Sequence, residues 1–338
     1  MVKVSVICTN YNKGNWIGEA LESILKQETS FAYEIIVVDD ASTDHSPQLI
    51  RDYQAKFPDK IRAFFNPTNQ GIAKTWKLIC QEAHGDYIAR CDGDDFWTDS
   101  HKLQKQVNLL TNHPTARWSN TDFDLVDSQG QVFQEKALQN GIIPFMDSYE
   151  KMLALKGMTM SSTWLVARDL MLEVNAELPD DATDDTFNLQ LELFQRTELA
   201  FLPESTTVYR MVSESDSRTT NKSKLLERLA GILDTQYAYL SKYPQINLLE
   251  IARLQAEHGM KQEDRIAQLV TEIKALQERV HDLEIERELL TEKTDNWQEA
   301  FTQLDCDYQD LFKDYHAVIG SRRWRIPTKL INFFRRNK

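Results

Sequence analysis

Cysteine is scarce in this 338-residue sequence, and its four copies (Cys8, Cys80, Cys91, Cys306) stand far apart with no CxxC pair. Zinc ribbons and dithiol redox motifs are thereby excluded. No disulfide framework can be drawn, which fits a reducing compartment. Cys8, Cys80 and Cys91 lie among apolar neighbours and read as small core residues. No run of 18 apolar residues occurs, so no transmembrane helix is expected. The opening residues also lack an apolar stretch with a cleavage site: Val4-Ser5-Val6-Ile7-Cys8 already reads as a strand, and no secretion signal is expected. Basic residues are in deficit, 39 against 52 acidic ones for a net charge of -13. A nucleic-acid partner would need a broad basic surface, so none is expected for the chain as a whole.

Hydrophobic residues make up 41% of the chain, enough for a sizeable core in one large or two ordinary domains. Short apolar runs alternate with helical patterns through the first hundred residues. Strands are expected at 4–9, 34–38, 61–65 and 87–90. Helices are expected between them at 16–27, 47–57 and 71–83, the first with Ile17, Ala20, Leu21, Ile24 and Leu25 on one face. This rhythm implies a mainly parallel sheet with helices on both faces. Ligands of such sheets bind at the carboxyl ends of the strands. Three polar clusters fall there: Thr9-Asn10, Asp39-Asp40 and Asp92-Gly93-Asp94-Asp95.

Several carboxylates within four residues repel one another unless a cation joins them. At Asp92 to Asp95 a hard divalent ion, Mg2+ or Mn2+, would take oxygen ligands and substrate phosphates and could neutralise a diphosphate leaving group. The same residues also suit an acidic turn that caps the next helix. A carboxylate at Asp39 can accept from the N–H of a pyrimidine ring or from ribose hydroxyls, and Asp40 to Asp44 can equally be a turn and cap. Lys13, beyond the first strand, can meet phosphate charge or stay solvated. Asp184 and Asp185 precede an apolar helix face (Phe187, Leu189, Leu193) and are candidates for a base, or for a plain cap.

Taken in order, these segments resemble the inverting glycosyltransferase family 2, which has the GT-A fold. The resemblance runs over about residues 3 to 215. It rests on Val4-Ser5-Val6-Ile7-Cys8-Thr9-Asn10-Tyr11-Asn12, Glu34-Ile35-Ile36-Val37-Val38-Asp39-Asp40-Ala41-Ser42-Thr43-Asp44, Asn69-Gln70-Gly71-Ile72-Ala73 and Gly85-Asp86-Tyr87-Ile88-Ala89. Asp92-Gly93-Asp94-Asp95-Phe96-Trp97, Lys102-Leu103-Gln104-Lys105-Gln106, Asp185-Thr186-Phe187 and Val208-Tyr209-Arg210 complete it. The resemblance implies that Thr9 and Asp39 contact the nucleotide base, with Asn10, Asn12, Asp40, Asn69 and Gly71 also on the nucleotide. It implies a DxD-type site in which Asp92 serves the ribose and Asp94 and Asp95 the metal. Asp185 would be the general base, with Asp184 in reserve. Many relatives carry Arg-Asn where this chain has Thr75-Trp76-Lys77, and a His after the Tyr-Arg pair where it has Met211-Val212. Both departures bear on acceptor or phosphate contacts.

From Ile266 a heptad continues without a skip. All eight d positions, Leu269 to Val318, are apolar, which predicts one coiled-coil helix and a homodimer, the alternative being one long helix packed back on the globular domain. The last twenty residues hold seven basic side chains and no acidic one, interleaved with Trp324, Ile326, Leu330, Ile331, Phe333 and Phe334. Such a composition fits an interfacial segment on anionic membrane, a basic nucleic-acid arm or a disordered tail. The first is favoured, since similar tails occur on bacterial polysaccharide glycosyltransferases.

The resulting expectation is an α/β GT-A domain over 1–215, a helical extension over 216–254, a coiled coil over 255–318 and a membrane-binding tail over 319–338. The expected activity is inverting transfer from a nucleotide-sugar donor to a glycan or lipid-linked acceptor. It belongs to bacterial surface polysaccharide synthesis, on the cytoplasmic face of the membrane. A non-catalytic coiled-coil scaffold and a metal-dependent nucleotidyltransferase are the alternatives.

Overall fold

The computed structural model describes residues 2–180, 182, 185–211, 221–289 and 295–320. The chain divides into two compact units, Met1–Ile246 and Asn247–Lys338.

The first unit is built on strands that are apolar along their whole length because both of their faces are covered. In β1 (Val2–Asn10), Val4, Val6 and Cys8 share a core with α1 (Ile17–Leu25) and α2 (Ser46–Lys56). Ile7 belongs to the opposite core, with Trp76 and Ile79 of α3 (Ile72–Cys80). β2 (Ala32–Asp39) divides in the same way, Ile35 and Val37 to one side, Ile36 and Val38 to the other. With β3 (Ile61–Phe65) and β4 (Tyr87–Arg90), these strands lie in the order β3-β2-β1-β4, all parallel. The chain moves outward from β1 to β3, then returns to the other side of β1 as β4. That reversal opens a crevice beyond the carboxyl ends of β1 and β4.

The sheet continues from β4 through β8 (Leu165–Ala167), β6 (Ala116–Val126) and β9 (Glu198–Arg210) to β5 (Phe96–Trp97), and β7 (Val132–Gln134) pairs with β6. β8 runs antiparallel to both β4 and β6. α4 (Lys102–Asn112) covers one face; α6 (Arg168–Ala176) and α7 (Asp185–Arg196) cover the other. α5 (Tyr149–Leu155) and α8 (Lys222–Lys242) complete this unit. Every strand expected in the first hundred residues is present, and Cys8, Cys80 and Cys91 are buried.

The second unit holds α9 (Leu248–Leu289) and α10 (Asp295–Gly320). The long C-terminal helix is therefore present, but it does not carry the heptad to Val318 in one piece. α10 is folded back along α9, with Gln277 Nε2 3.4 Å from Tyr308 Oη. Leu269 is fully buried and Leu304 nearly so, within a single chain. An apolar heptad seam is covered by an antiparallel neighbour of the same chain as well as by a second chain, and the pattern alone does not distinguish them. No described helix is long and apolar enough to cross a membrane.

Lys102 is fully buried at the start of α4. Its ammonium donates to Gln106 Oε1 at 2.6 Å and to the Thr163 carbonyl at 3.2 Å, and lies 4.3 Å from the centre of the Trp97 ring. Burial pulls its pKa down to about 7. Between that value and the ordinary lysine value the unfolded chain binds the extra proton, so this residue's penalty on folding is greatest below pH 7 and fades as the pH rises. Lys102→Met removes that dependence. The Tm advantage of Lys102→Met over wild type should shrink by on the order of 5 °C from pH 6.5 to pH 9.5. Parallel Tm curves for the two proteins would show that the lysine is not buried as described.

Candidate active site

The crevice beyond β1 and β4 is lined by loops whose carboxylates are mostly held by donors from neighbouring segments. Asn10, the last residue of β1, donates through Nδ2 to Asp39 Oδ1 at 2.7 Å, Ser46 Oγ at 2.9 Å and Ser42 Oγ at 3.2 Å. Asp39 Oδ2 also accepts from the Ser42 N–H at 3.0 Å. Asn12 adopts a left-handed φ of 55°, which Asn tolerates better than most residues, and its side-chain oxygen accepts from the Thr43 N–H at 2.8 Å. Asp44 accepts from the Gly14 N–H at 2.7 Å. Asp40 gathers the next loop: Oδ1 accepts from Asn66 Nδ2 at 2.7 Å and the Gln70 N–H at 2.9 Å, and Oδ2 from the Gly71 N–H at 3.0 Å. Asn69 Oδ1 takes the same Gly71 N–H at 2.9 Å. Gly71 opens α3 at φ 82°, a conformation that favours glycine.

The turn after β4 separates its three carboxylates. Asp92 Oδ1 accepts from Thr9 Oγ1 at 2.7 Å and Arg90 Nε at 2.9 Å, and Oδ2 from Ser161 Oγ at 3.0 Å. Burial opposes the charge on Asp92, but Arg90, then Thr9 and Ser161, outweigh it and hold the carboxyl below the usual range. Asp95 turns inward and is buried. Its Oδ2 accepts from Ser162 Oγ at 2.6 Å and its Oδ1 from the Arg210 N–H at 3.1 Å. Burial first, then the charges of Asp94 and Asp92, push this carboxyl well above the ordinary range. Asp94 faces the crevice, where its Oδ2 meets Lys13 Nζ at 2.6 Å.

Two further features mark the crevice. Asn10 Oδ1 is buried and accepts no hydrogen bond among the described residues. The three acceptors around Nδ2 fix the sense of this amide, so the orphan is an acceptor. Gly93 lies beside it: a Cβ there would stand 3.0 Å from the Thr9 carbonyl and 3.1 Å from Asn10 Oδ1. Glycine keeps the turn tight against β1, where any larger residue would crowd Thr9, Asn10 and Ile17.

The sequence-derived site residues thus divide by place. Thr9, Asn10, Asp39, Asp92, Asp94 and Asp95 converge at the ends of β1, β2 and β4, with Asn12 close by, and Asp40, Asn69 and Gly71 form the adjoining loop. Thr9, Asp39, Asp40 and Asp95 spend their polar groups on other parts of the protein. Asp185 begins α7, and its side chain is outside the described residues, as is the whole of Asp184. Ser161, Ser162, Arg90 and Arg210 were not among the expected site residues, although they fix the turn. Arg210 was at least visible in the Val208-Tyr209-Arg210 motif; its Nε donates to the Asp94 carbonyl at 2.9 Å. A hydroxyl in the Ser161-Ser162 pair carries no comparable signal in the sequence.

Among the described residues no three His, Cys, Asp or Glu side chains converge to cage a metal ion. Asp94 offers an oxygen donor beside Lys13. That donor set fits a hard divalent ion held by one or two carboxylates and completed by water and substrate phosphates.

Residues 5–150 match the family described as Glycosyl transferase family 2. The chain is 27% identical over 226 residues to a putative teichuronic acid biosynthesis glycosyltransferase, TuaG, of Bacillus subtilis, covering 67% of this chain and 84% of that one. The first curated relatives are 42% identical over 111 residues, and the chain spans 32% of their length. Its fold is similar to that of S. aureus TarS, with a TM-score of 0.53 and 18% identity over 76% of this chain and 42% of that chain. It is also similar to a mannosyltransferase from Pyrobaculum calidifontis in complex with GDP-Man and Mn2+, with a TM-score of 0.50 and 18% identity over 75% and 79% of the two chains. The α/β architecture is therefore the GT-A-like one that the sequence implied.

Proposed function

We propose, for a chain whose residues 5–150 match the family described as Glycosyl transferase family 2, a metal-dependent, inverting sugar transfer from a nucleoside-diphosphate sugar to a glycan or lipid-linked acceptor. The observation that carries this reading is Asp94. In a turn where Asp95 is buried and Asp92 is tied to Arg90, Thr9 and Ser161, Asp94 is paired with the long side chain of Lys13 at the topological switch point. Asp94 would hold Mg2+ or Mn2+, and the bound ion would neutralise charge developing on the diphosphate. Asp95 would stay behind the turn as a buried brace. Asn10, whose amide braces Asp39, would shape the donor site beside Thr9 and Asp92.

Asp185, at the first turn of α7, would take the proton of the acceptor hydroxyl as that oxygen bonds to the anomeric carbon. The bond from that carbon to the diphosphate breaks on the opposite face. Asp184 is the reserve for this role. α7 is tied to the turn indirectly: Gln190 Oε1 accepts from the Thr159 N–H and Oγ1, both at 2.7 Å, and Thr159 starts the segment that carries Ser161 and Ser162. The reaction would belong to bacterial surface polysaccharide assembly, in keeping with the naming of TuaG for teichuronic acid biosynthesis.

The enzyme would work at the cytoplasmic membrane face. Residues 319–338 would dock on anionic lipid; since α10 covers the α9 seam within one chain, a homodimer pairing two such tails would need these helices to exchange between chains. Two weak anchors joined in one particle bind far more tightly than one.

Purified full-length chain, offered a panel of nucleotide sugars with Mn2+ or Mg2+, should slowly hydrolyse one donor and release a nucleoside diphosphate. Excess EDTA should stop the release. Pyrophosphate as the product would make the protein a nucleotidyltransferase instead, and full turnover in EDTA would remove the metal from the mechanism. Asp185→Asn should lower turnover at least about a hundredfold while donor binding persists; if Asp184→Asn is inactive instead, the base is the preceding residue. Deleting residues 319–338 should abolish binding to anionic liposomes and spare activity on a soluble acceptor. Undiminished liposome binding would place the anchor elsewhere.

A further inference from the structure

Lys13 occupies the position that the proposed ion needs. Its ammonium lies 2.6 Å from Asp94 Oδ2, and only about a quarter of its side chain is exposed. The backbone that carries it is fixed: the Lys13 carbonyl accepts from the N–H groups of Trp16 and Ile17, both at 2.9 Å, and the next residue, Gly14, is held by Asp44 at 2.7 Å. The ammonium is also 5.9 Å from the centre of the Trp16 ring. The ion pair thus joins a rigid loop after β1 to the turn after β4, across the mouth of the crevice. Resting on the metal-dependent reading above, we infer that Lys13 is a resident counter-ion which keeps Asp94 occupied until a diphosphate arrives.

The electrostatics give the sequence of events. A divalent ion at Asp94 would meet the Lys13 ammonium at the same carboxylate oxygen, and two cations there repel. Lys13 must leave before the ion can enter. Its long, flexible side chain makes that movement cheap, whereas its fixed backbone keeps the ammonium within the crevice. With no diphosphate present the displaced ammonium gives up its ion pair with Asp94. When a diphosphate is bound, phosphate oxygens supply one. Lys13 therefore makes ion and diphosphate binding depend on each other, and thermodynamic reciprocity requires each to tighten the other by the same factor.

The test is Mn2+ binding by the full-length protein, read as the electron paramagnetic resonance signal of the free ion, with and without UDP or GDP. Lys13→Met should bind Mn2+ alone about tenfold more tightly than wild type, within the usual range of coupling between sites. The gain in Mn2+ affinity that the nucleoside diphosphate brings should be smaller in Lys13→Met than in wild type. Lys13→Arg keeps the charge and should behave like wild type; equal tightening in Lys13→Arg would show that charge is not the cause and overturn the inference. Unchanged or weaker Mn2+ binding by Lys13→Met, while Asp94→Asn loses it, would also overturn it and leave the metal site standing. Mn2+ binding by Asp94→Asn equal to wild type with nucleotide present would remove both the metal site and the role of Lys13.

Discussion

Carboxylates cannot be collected at the end of a buried sheet without a way to neutralise or bind them. Leaving one charged and unpaired in the interior costs several kcal/mol. The first unit meets this constraint one residue at a time. Asp39 is held by Asn10 and Ser42, Asp40 by three donors of the next loop, and Asp92 by Arg90, Thr9 and Ser161. Asp95 is pushed toward its neutral form between Ser162 and the Arg210 N–H. Each arrangement joins segments far apart in sequence. The acidic residues are therefore the ties that give the crevice its shape.

That division explains how a loop-built site can be rigid without a cage of ligands. The walls are set by internal hydrogen bonds. What remains for a ligand is small: one carboxylate whose partner is a side chain able to swing away. A site of this kind is preorganised where shape matters and adjustable at the one place where charge must be exchanged.

The β-α rhythm of the first unit was legible because its strands are short apolar runs that end in acidic turns. The place of the site was legible for the same reason. Which carboxylate faces the crevice was not, because this depends on Ser162 and Arg210, 67 and 115 residues beyond Asp95. α4 was also missed. Its buried face includes Lys102 and Gln106 as well as Leu103 and Val107, so its apolar pattern is broken by polar side chains that bond within the core. In the second unit the unbroken heptad concealed the packing of α10 along α9, since either arrangement satisfies the same apolar stripe.

The central claim is that adjacent residues of one turn have different tasks: Asp94 meets the ligand, and Asp95, buried between Ser162 and the Arg210 N–H, braces the fold. Calorimetric titration of the metal and donor against Asp94→Asn and Asp95→Asn, with Tm recorded for both, tests it directly. Asn at 95 can still accept from the Arg210 N–H and donate to Ser162, so Asp95→Asn should retain both its Tm and its metal-dependent donor binding. Asp94→Asn should retain its Tm and lose that binding. Loss of binding in a well-folded Asp95→Asn, or its survival in Asp94→Asn, would contradict the account.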